Sequence, residues 1–355
     1  MIHNISILVP VYNAGGYLEP CLESLAAQTL SSVEFICVDD GSKDKSGEVL
    51  DKWAEKDNRF VIIHQENAGY GVAMNKALAA AKGEYISIIE PDDWAETDMM
   101  EHLYNLAKST AADIAKGTYY RERFGKSDII DKFDGLSETP AYRPEDVPQY
   151  VLNAPSIWTA LYRRDWLIEN DIRFSETPGA SFQDLGFCIR TWLKANKIAI
   201  THKPVYHYRE DNPNSSTRRK EDGAWAILKE FELQSEVFSK IHEGSSTIRS
   251  ILVQRIYESM APDWRTKIFT TSDAFLTSYA QLLNKYFPLE TLNTEYFKKN
   301  VLHDLQLLYR TPLLYPKKRK NRVKPLQKIF SYKTEGGLKI LRILGNTFIL
   351  SNQSK

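Results

Sequence analysis

The 355-residue sequence has only three cysteines, no long hydrophobic run and no net charge. Cys21, Cys37 and Cys188 are spaced too widely for a zinc-ligand motif, so we interpret them as small buried apolar residues of a reducing compartment. No stretch approaches the roughly 18 consecutive apolar residues that predict a membrane span. Residues 1–4 lack the basic region that begins a signal peptide. These absences predict a cytoplasmic protein.

The composition is that of an ordinary folded protein. Hydrophobic residues make up 43%, aromatic residues 12% and charged residues 26% of the chain, which excludes extended disorder and collagen-like repetition. A chain of this length suits two domains, or one domain with a large extension.

The neutral total hides a basic C-terminal tail. From Leu313 onward there are eleven Lys or Arg residues and one acidic residue, a net charge of +10, which leaves −10 for the rest of the chain. A basic cluster at 317–324 and an apolar, amphipathic stretch within 338–350 favour adsorption to an anionic membrane surface through residues 317–350. The alternative is a solvated linker followed by a short helix packed on the body. No nucleic-acid partner is predicted, because no recognised binding motif accompanies the charge.

Four short apolar runs alternate with three stretches of helical periodicity in the first 90 residues. The runs are Ile5–Val9, Val33–Val38, Phe60–Ile63 and Tyr85–Ile89. Three segments have apolar residues at helical spacing, which predicts one apolar face on each helix. They are Leu18–Ala26, Val49–Trp53 and Ala73–Ala81. Such alternation predicts an α/β fold with a doubly wound, mostly parallel sheet flanked by helices.

Polar residues follow three of these predicted strands. Val11–Asn13, Asp39-Asp40 and Glu90–Asp93 should meet at one edge of the sheet, where α/β proteins bind ligands. Asp39 could accept hydrogen bonds from a base or ribose, and Asp92 could hold Mg²⁺ or Mn²⁺. Taken singly, each motif could instead be turn chemistry or the end of a strand, but together they favour a functional site.

These residues resemble the ordered motifs of family 2 glycosyltransferases with the GT-A fold, of the kind that builds bacterial cell-surface polysaccharides and glycoconjugates. The similar segments, which extend to about residue 217, are Ile5–Asn13, Val38–Asp44, Asn67–Gly69 with Asn75, Glu90–Asp93, Asn153–Phe174, Gln183–Phe187 and Val205–Arg209 followed by Ser215-Ser216.

The resemblance implies an inverting transfer of a sugar from a nucleoside diphosphate donor to a hydroxyl of a glycan or lipid-linked glycan. A UDP-hexose or UDP-N-acetylhexosamine is the implied donor, and Mn²⁺ or Mg²⁺ the implied cofactor. The chemistry fits these roles. A bound cation stabilises the charge that develops on the leaving diphosphate, and a carboxylate can take the proton of the acceptor hydroxyl.

Residue roles carry over from the resemblance position by position. Asp184 would be the general base, and Asp92 the metal ligand. The residues implied in nucleotide-sugar binding are Pro10, Val11, Asn13, Asp39, Asn67, Gly69, Asn75, Glu90 and Arg209. His207 would complete the metal shell or meet the diphosphate. Asp93 is interpreted as leading into the next helix.

Several of these roles have structural alternatives. Asp184 could cap the helix that follows it, and His207 could be a packed core residue. Two positions depart from the family pattern: Glu90 stands where aspartate is usual, and Met74 where arginine usually precedes the asparagine.

Helical spacing dominates after residue 217. We predict a glycosyltransferase domain over 1–217, with a nucleotide-binding half (1–120) and an acceptor half (121–217), then a helical domain or extension over 218–312 and the tail over 313–355. The many aromatic residues of the helical region are interpreted as core, with an acceptor groove or a homodimer interface as alternatives.

Two other functions remain open from the sequence. The departures at Glu90 and Met74 are compatible with a catalytically silent module that binds a nucleotide or a glycan. A nucleotidyltransferase is less well supported, because Asn13–Tyr17 lacks the basic residue usual in the glycine-rich loop of such enzymes.

Overall fold

A computed structural model of the protein contains two compact units, Met1–Ser259 and Met260–Lys355. The residues described are 3–138, 141–153, 155–180, 182–213, 223–241, 245–259, 272–315, 330–335, 338–343 and 346–350. Among these residues, no helix is both long enough and apolar enough to cross a membrane. The domain boundary near residue 217 lies within the first unit and stays a prediction.

The first unit is built on a nine-stranded sheet. Its strands are β1 (Ile5–Val11), β2 (Val33–Asp39), β3 (Phe60–His64), β4 (Tyr85–Ile88), β5 (Trp94–Ala95), β6 (Ile114–Arg123), β7 (Lys126–Ile130), β8 (Ala160–Arg163) and β9 (Ile198–Arg209). Their order is β3-β2-β1-β4-β8-β6-β9-β5, with β7 paired to β6. Strands β1 to β4 are parallel, as predicted. The other half is mixed, because β8 is antiparallel to β4 and β6, and β5 is antiparallel to β9.

Helices connect and cover these strands. In the first unit they are α1 (Leu18–Ala26), α2 (Ser46–Lys56), α3 (Tyr70–Ala80), α4 (Met99–Thr110), α5 (Gln149–Leu152), α6 (Arg164–Glu169), α7 (Gln183–Lys194), α8 (Gly223–Ile241) and α9 (Ser246–Ser259). A 3₁₀ turn, Gly15–Tyr17, precedes α1. All residues of β1 and β2 are buried, as expected for strands covered on both faces.

Strand register fixes where the site forms. Val11 pairs with Asp39, Asp39 pairs with His64, and Leu8 pairs with Ile88. Because these strands run in the same direction, the loops that follow them leave the sheet at one edge.

Helices α8 and α9, which follow residue 217, pack on other helices within the first unit. Helix α8 contacts α7, and α9 contacts α5. The contact with α7 is close, since a Cβ atom added to Gly186 would lie 1.6 Å from Oε1 of Glu230. Glycine at this position therefore lets α7 and α8 approach each other.

The described residues of the second unit form two longer helices and a small sheet. Its elements are α10 (Asp273–Tyr286), α11 (Lys299–Arg310), β10 (Phe330–Glu335), β11 (Leu338–Ile343) and β12 (Asn346–Leu350). The apolar stretch of the tail thus contributes two antiparallel strands, β11 and β12, and not the short helix of the alternative interpretation. The basic cluster 317–324 lies outside the described residues, and membrane contact stays a prediction.

Candidate active site

Hydrogen bonds tie together the loops after β1 and β2. Asn13, with φ of 50°, accepts the N–H of Lys43 on Oδ1 at 2.7 Å and donates its own N–H to Oγ of Ser42 at 3.0 Å. Pro10 and Val11 are buried within β1. All three were predicted to bind nucleotide. Their nucleotide contacts stay predictions. In the structure Asn13 shapes the loop, and the carbonyl oxygen of Val11 accepts the N–H of Asp40 at 2.8 Å.

Asp39 ends β2 with its charge already balanced. Its Oδ1 accepts the N–H of Ser42 at 2.9 Å, and its Oδ2 lies 2.9 Å from Nδ1 of His64, whose Nε2 lies 3.0 Å from Oδ1 of Asp51. Burial raises the pKa of Asp39, but the hydrogen bonds from Ser42 and His64 outweigh it and leave the pKa below its ordinary value. Asp39 is therefore a fixed, ionised hydrogen-bond acceptor at the sheet edge.

Asp40 holds the next loop, a role that the sequence analysis missed. Its carboxylate accepts hydrogen bonds from Nε2 of Gln65 at 2.7 Å and from the N–H groups of Ala68 at 2.8 Å and Gly69 at 2.9 Å. Its carbonyl oxygen accepts Nδ2 of Asn67 at 3.0 Å. The available signal was a second aspartate directly after Asp39, because successive side chains of a strand point to opposite faces.

The start of α3 packs against the segment before α7. Gly69 has φ of 95°, and a Cβ atom there would lie 3.0 Å from the main-chain nitrogen of Gly179. Asn75 donates Nδ2 to the carbonyl of Phe174 at 3.0 Å and accepts that residue's N–H at 2.9 Å. Asn75, predicted to contact the nucleotide, thus braces this segment. Met74 is fully buried and fills the core where the family pattern has arginine.

Glu90 is a partly buried carboxyl near two others. Its Oε1 accepts a hydrogen bond from the Tyr70 hydroxyl at 2.7 Å. Burial raises the pKa of Glu90 to about 8, and the charges of Asp92 and Asp184 add to the rise against the effect of the Tyr70 bond. The structure therefore places Asp92 and Asp184 within electrostatic reach of Glu90.

Asp92 lies beside Arg209 and Asn212. Nδ2 of Asn212 donates to Oδ2 of Asp92 at 2.8 Å, and Nε of Arg209 donates to the Asp92 carbonyl at 2.9 Å. The Arg209 guanidinium lies over the rings of Tyr17 and Trp94. The predicted metal ligand and the predicted diphosphate contact are thus neighbours.

Asp93 does not lead into a helix, and that prediction is wrong. The residue is 2% exposed and accepts hydrogen bonds from the Tyr206 hydroxyl at 2.8 Å and the Arg209 N–H at 2.7 Å. Burial and the neighbouring charge of Asp92 raise its pKa well above the ordinary value. The next helix begins only at Met99. Asp93 instead anchors the end of β9 to the loop after β4.

His207 is held between two carboxylates. Its Nδ1 lies 2.8 Å from Oε1 of Glu122, and its Nε2 lies 2.9 Å from Oε1 of Glu96. Its ring stacks on Trp94 and Tyr120. Both ring nitrogens are therefore engaged within the protein. This arrangement agrees with the packed-residue alternative and offers no nitrogen to a cation at Asp92.

Asp184 lies in the first turn of α7, where its side chain is partly exposed. Burial raises its pKa, and the Leu185 N–H and the Arg255 guanidinium oppose the rise. The turn before it is specialised, because Phe182 has φ of 65° and the buried Gln183 donates to the carbonyl of Gly179 at 3.1 Å. These contacts fix the entry to α7 and hence the position of Asp184.

Glu90 and Asp92 fit a divalent cation as an incomplete set of ligands. Across the described residues, no three His, Cys, Asp or Glu side chains converge on a single metal position. Mg²⁺ is often bound by one or two carboxylates, with waters and phosphate oxygens completing its shell. A bound cation would lower the pKa of Glu90, which is raised first by burial and then by the charges of Asp92 and Asp184.

Comparison with known proteins finds a family whose sequence model matches part of this chain. A model described as glycosyl transferase family 2 matches residues 6–170. EpsJ of Bacillus subtilis strain 168, described as an uncharacterized glycosyltransferase, is 32% identical over 229 residues, which are 61% of this chain and 64% of EpsJ. Glycosyltransferase GlyG of Streptococcus pneumoniae serotype 4 is 33% identical over 234 residues, 62% of this chain and 75% of GlyG. The chain thus matches less than two thirds of the first relative's length.

A solved structure shares the fold over nearly the whole chain. Residues 1–349 of S. aureus TarS, in complex with UDP-GlcNAc, align with a TM-score of 0.76, covering 98% of this chain and 99% of that one at 18% identity. At this identity the likeness establishes the fold alone. The predicted α/β fold of the GT-A type is confirmed.

Proposed function

Because the chain belongs to glycosyl transferase family 2, we propose that it moves a sugar, with inversion, from a UDP-sugar to a hydroxyl of a glycan or lipid-linked glycan. The observation that carries this proposal is that Glu90, in the loop after β4, has Asp92 and Asp184 within electrostatic reach, while Asp39 ends the neighbouring part of the parallel sheet. A UDP-hexose or a UDP-N-acetylhexosamine is the proposed donor. The UDP-GlcNAc complex of TarS supports this donor class.

Asp39 and the loop held by Asp40 would bind the nucleoside. An ionised carboxylate accepts a hydrogen bond from the N3–H of uracil, whereas the unprotonated N3 of cytosine has no hydrogen to donate. The low pKa of Asp39 keeps it in the accepting state. Asn67 and Gly69, fixed by Asp40, line the same edge.

Asp92, with Glu90 beside it, would hold the cation, and Arg209 would contact the diphosphate. A bound Mn²⁺ or Mg²⁺ supplies positive charge that stabilises the leaving diphosphate. Among the described residues, the hydrogen bonds of Arg209 use only Nε and the main-chain nitrogen. Its two Nη nitrogens can therefore meet phosphate oxygens in the paired geometry that suits guanidinium.

Asp184 would act as the general base. As the acceptor oxygen bonds to the anomeric carbon, its proton passes to the Asp184 carboxylate, and the bond from the anomeric carbon to the diphosphate oxygen breaks. Attack from the face opposite the diphosphate inverts the configuration. The position of Asp184, in reach of Glu90 and on a separate element, suits this division of labour.

A thermal-shift panel of nucleotide sugars tests the proposal. The full chain is heated with UDP-, GDP- and CDP-sugars, each with Mn²⁺, with Mg²⁺ and with chelator. Ligand at 100 times its Kd stabilises the native state by about 2.7 kcal/mol, so a UDP-sugar should raise Tm in the presence of metal. Slow hydrolysis of the same donor should accompany binding. If no nucleotide sugar raises Tm with either cation, the proposal is wrong.

A catalytically silent binding module is the second candidate, and the pKa of Glu90 favours it. A carboxyl that titrates at about pH 8 is largely protonated at neutral pH and is then a poor cation ligand. The two functions differ in turnover. A silent module would bind the UDP-sugar in the thermal-shift panel but release neither free sugar nor UDP from it.

A further inference from the structure

Five side chains from four elements form a continuous series of ring contacts beside Asp92. They are Tyr120 of β6, His207 and Arg209 of β9, Trp94 of β5, and Tyr17 of the 3₁₀ turn after β1. We call this series the Arg209 stack. The ring centroids of Tyr120 and His207 are 4.6 Å apart, and those of His207 and Trp94 are 4.8 Å apart. Cζ of Arg209 lies 4.8 Å from the ring centre of Trp94 and 5.1 Å from that of Tyr17.

The sheet itself sets the first part of the stack. Tyr120 and Trp94 are both cross-strand partners of His207, one on β6 and the other on β5. Directly opposed residues on neighbouring strands are close enough for their side chains to interact. Their rings are nearly parallel, at 20° and 12° to the imidazole. Backbone pairing therefore places the three rings in series.

Two carboxylates fix the imidazole in the middle. Glu122 and Glu96 contact its two nitrogens at 2.8 Å and 2.9 Å, so the ring cannot turn without losing at least one contact. A fixed imidazole holds the Trp94 ring that packs on it. The order imposed by the sheet thus extends to Trp94, the surface on which Arg209 rests.

Arg209 is held through Nε and its main-chain nitrogen, and these contacts do not use its two Nη nitrogens. Its Nε donates to the Asp92 carbonyl, and its main-chain nitrogen donates to Asp93. An aromatic face attracts a guanidinium without consuming its N–H groups, unlike a carboxylate partner. A guanidinium on such a surface is oriented yet still able to bind an anion.

We propose that Tyr17, Trp94, Tyr120 and His207 are positioning residues that hold the Arg209 guanidinium beside Asp92 to receive the diphosphate of the donor. This inference rests on the proposed function. It assigns His207 to the support of Arg209. It also assigns diphosphate recognition to side chains from both halves of the sheet, since Tyr17 follows β1 and the others belong to β5, β6 and β9.

The test compares ring removal with ring retention. UDP and uridine are titrated into the full chain with Mn²⁺, using wild type, Tyr17→Leu, Tyr17→Phe, Trp94→Leu and Trp94→Phe. The leucine variants should weaken UDP binding about 3- to 30-fold, the range expected for a lost cation–π contact, and the phenylalanine variants should restore most of it. Uridine, which has no phosphate, should bind all five proteins alike. Tm is measured for each, and Tyr17, in a short surface turn, gives the variant least dependent on the core.

His207→Gln separates positioning from metal ligation. The Mn²⁺ concentration that half-saturates UDP binding should stay at the wild-type value in His207→Gln and rise strongly in Asp92→Asn. UDP affinity at saturating Mn²⁺ should fall in His207→Gln.

Each outcome decides a different point. Wild-type UDP affinity in both leucine variants would overturn the inference while leaving the proposed function intact. A raised Mn²⁺ requirement in His207→Gln, equal to that of Asp92→Asn, would make His207 a metal ligand and also overturn it. If wild type binds no UDP, the proposed function fails, and the inference with it.

Discussion

Carboxylates on the two sides of the sheet edge have their charges balanced in different ways. Near β1 and β2, burial raises the pKa of Asp39 and Asp44, but N–H donors outweigh it and hold both pKa values below the ordinary range. After β4 and in α7, burial raises the pKa of Glu90, Asp93 and Asp184, and the protein supplies too few donors to offset it. The first group is a finished binding surface. The second needs a cation or a proton to complete it.

The largest expected effect is at the catalytic side. Asp184→Asn keeps the size of the side chain but removes the proton acceptor, so transfer should fall about 10²- to 10⁴-fold while UDP-sugar binding is retained. Rates and donor affinity are measured together. Asp165→Asn is the matched control, because Asp165 lies in the first turn of α6 but outside the site. Unchanged transfer in Asp184→Asn would remove Asp184 from the mechanism.

The pH dependence of transfer should reflect the unbalanced charge of Asp184. The ionised form is active and the pKa is raised, so activity should be lost, as pH falls, at a higher pH than the ordinary aspartate value of about 3.9. Below that midpoint, kcat/KM should drop about tenfold per pH unit. Arg255→Gln should move the midpoint further up, because the Arg255 charge lowers the pKa of Asp184. If the midpoint of the pH–activity profile is the same in Arg255→Gln as in wild type, Asp184 is not the titrating group.

On the nucleotide side, Asp40→Asn should disrupt the loop between β3 and α3, which the Asp40 carboxylate holds in place. The amide offers one acceptor oxygen where the carboxylate accepts from Gln65, Ala68 and Gly69, so a buried donor is left without a partner. The expected cost is about 1–3 kcal/mol in stability, with weaker UDP binding. Denaturant melts and UDP titrations measure both. Glu55→Gln, at an exposed position on α2, should leave UDP affinity almost unchanged, and an equal loss in the two variants would contradict the specific role of Asp40.

The smallest expected effects are changes in Tm, and these should have opposite signs for substitutions of Glu90 and Asp39. Glu90 binds its proton more tightly in the folded chain, so its ionisation costs stability as pH rises from its ordinary value of about 4.5 toward 8. Glu90→Gln should therefore raise Tm of the unliganded protein at pH 8 by about 2–5 °C. Asp39→Asn should lower Tm, because the low pKa of Asp39 reports stability that is present above its ordinary pKa. If Tm shifts in the same direction in both variants, the two groups of carboxylates do not differ in charge balance as described.

The sequence could not reveal the partners of several polar residues, and the reason is the same for each. Asp93 looks like the start of a helix in its own segment, but its partners Tyr206 and Arg209 lie more than a hundred residues away. The sequence left His207 open between a metal ligand and a packed residue, and it could not show that Glu96 and Glu122 lie against its two nitrogens. Nor could it show that Asn75 is bonded to the main chain of Phe174. The tail differs, because an apolar run interrupted by Lys339 and Arg342 fits either a strand or a helix.

The sequence by itself determined the parallel half of the sheet and the chain positions at its ligand-binding edge, because hydrophobic period, turn residues and strand direction are local properties. Only the tertiary structure decided which of those polar residues are used to hold other parts of the protein in place. Asp40, Asp93 and His207 serve the protein, whereas Asp39, Asp92 and Arg209 keep acceptors or donors at the edge. The physical reason is that charge balance depends on burial and on partners contributed by distant strands.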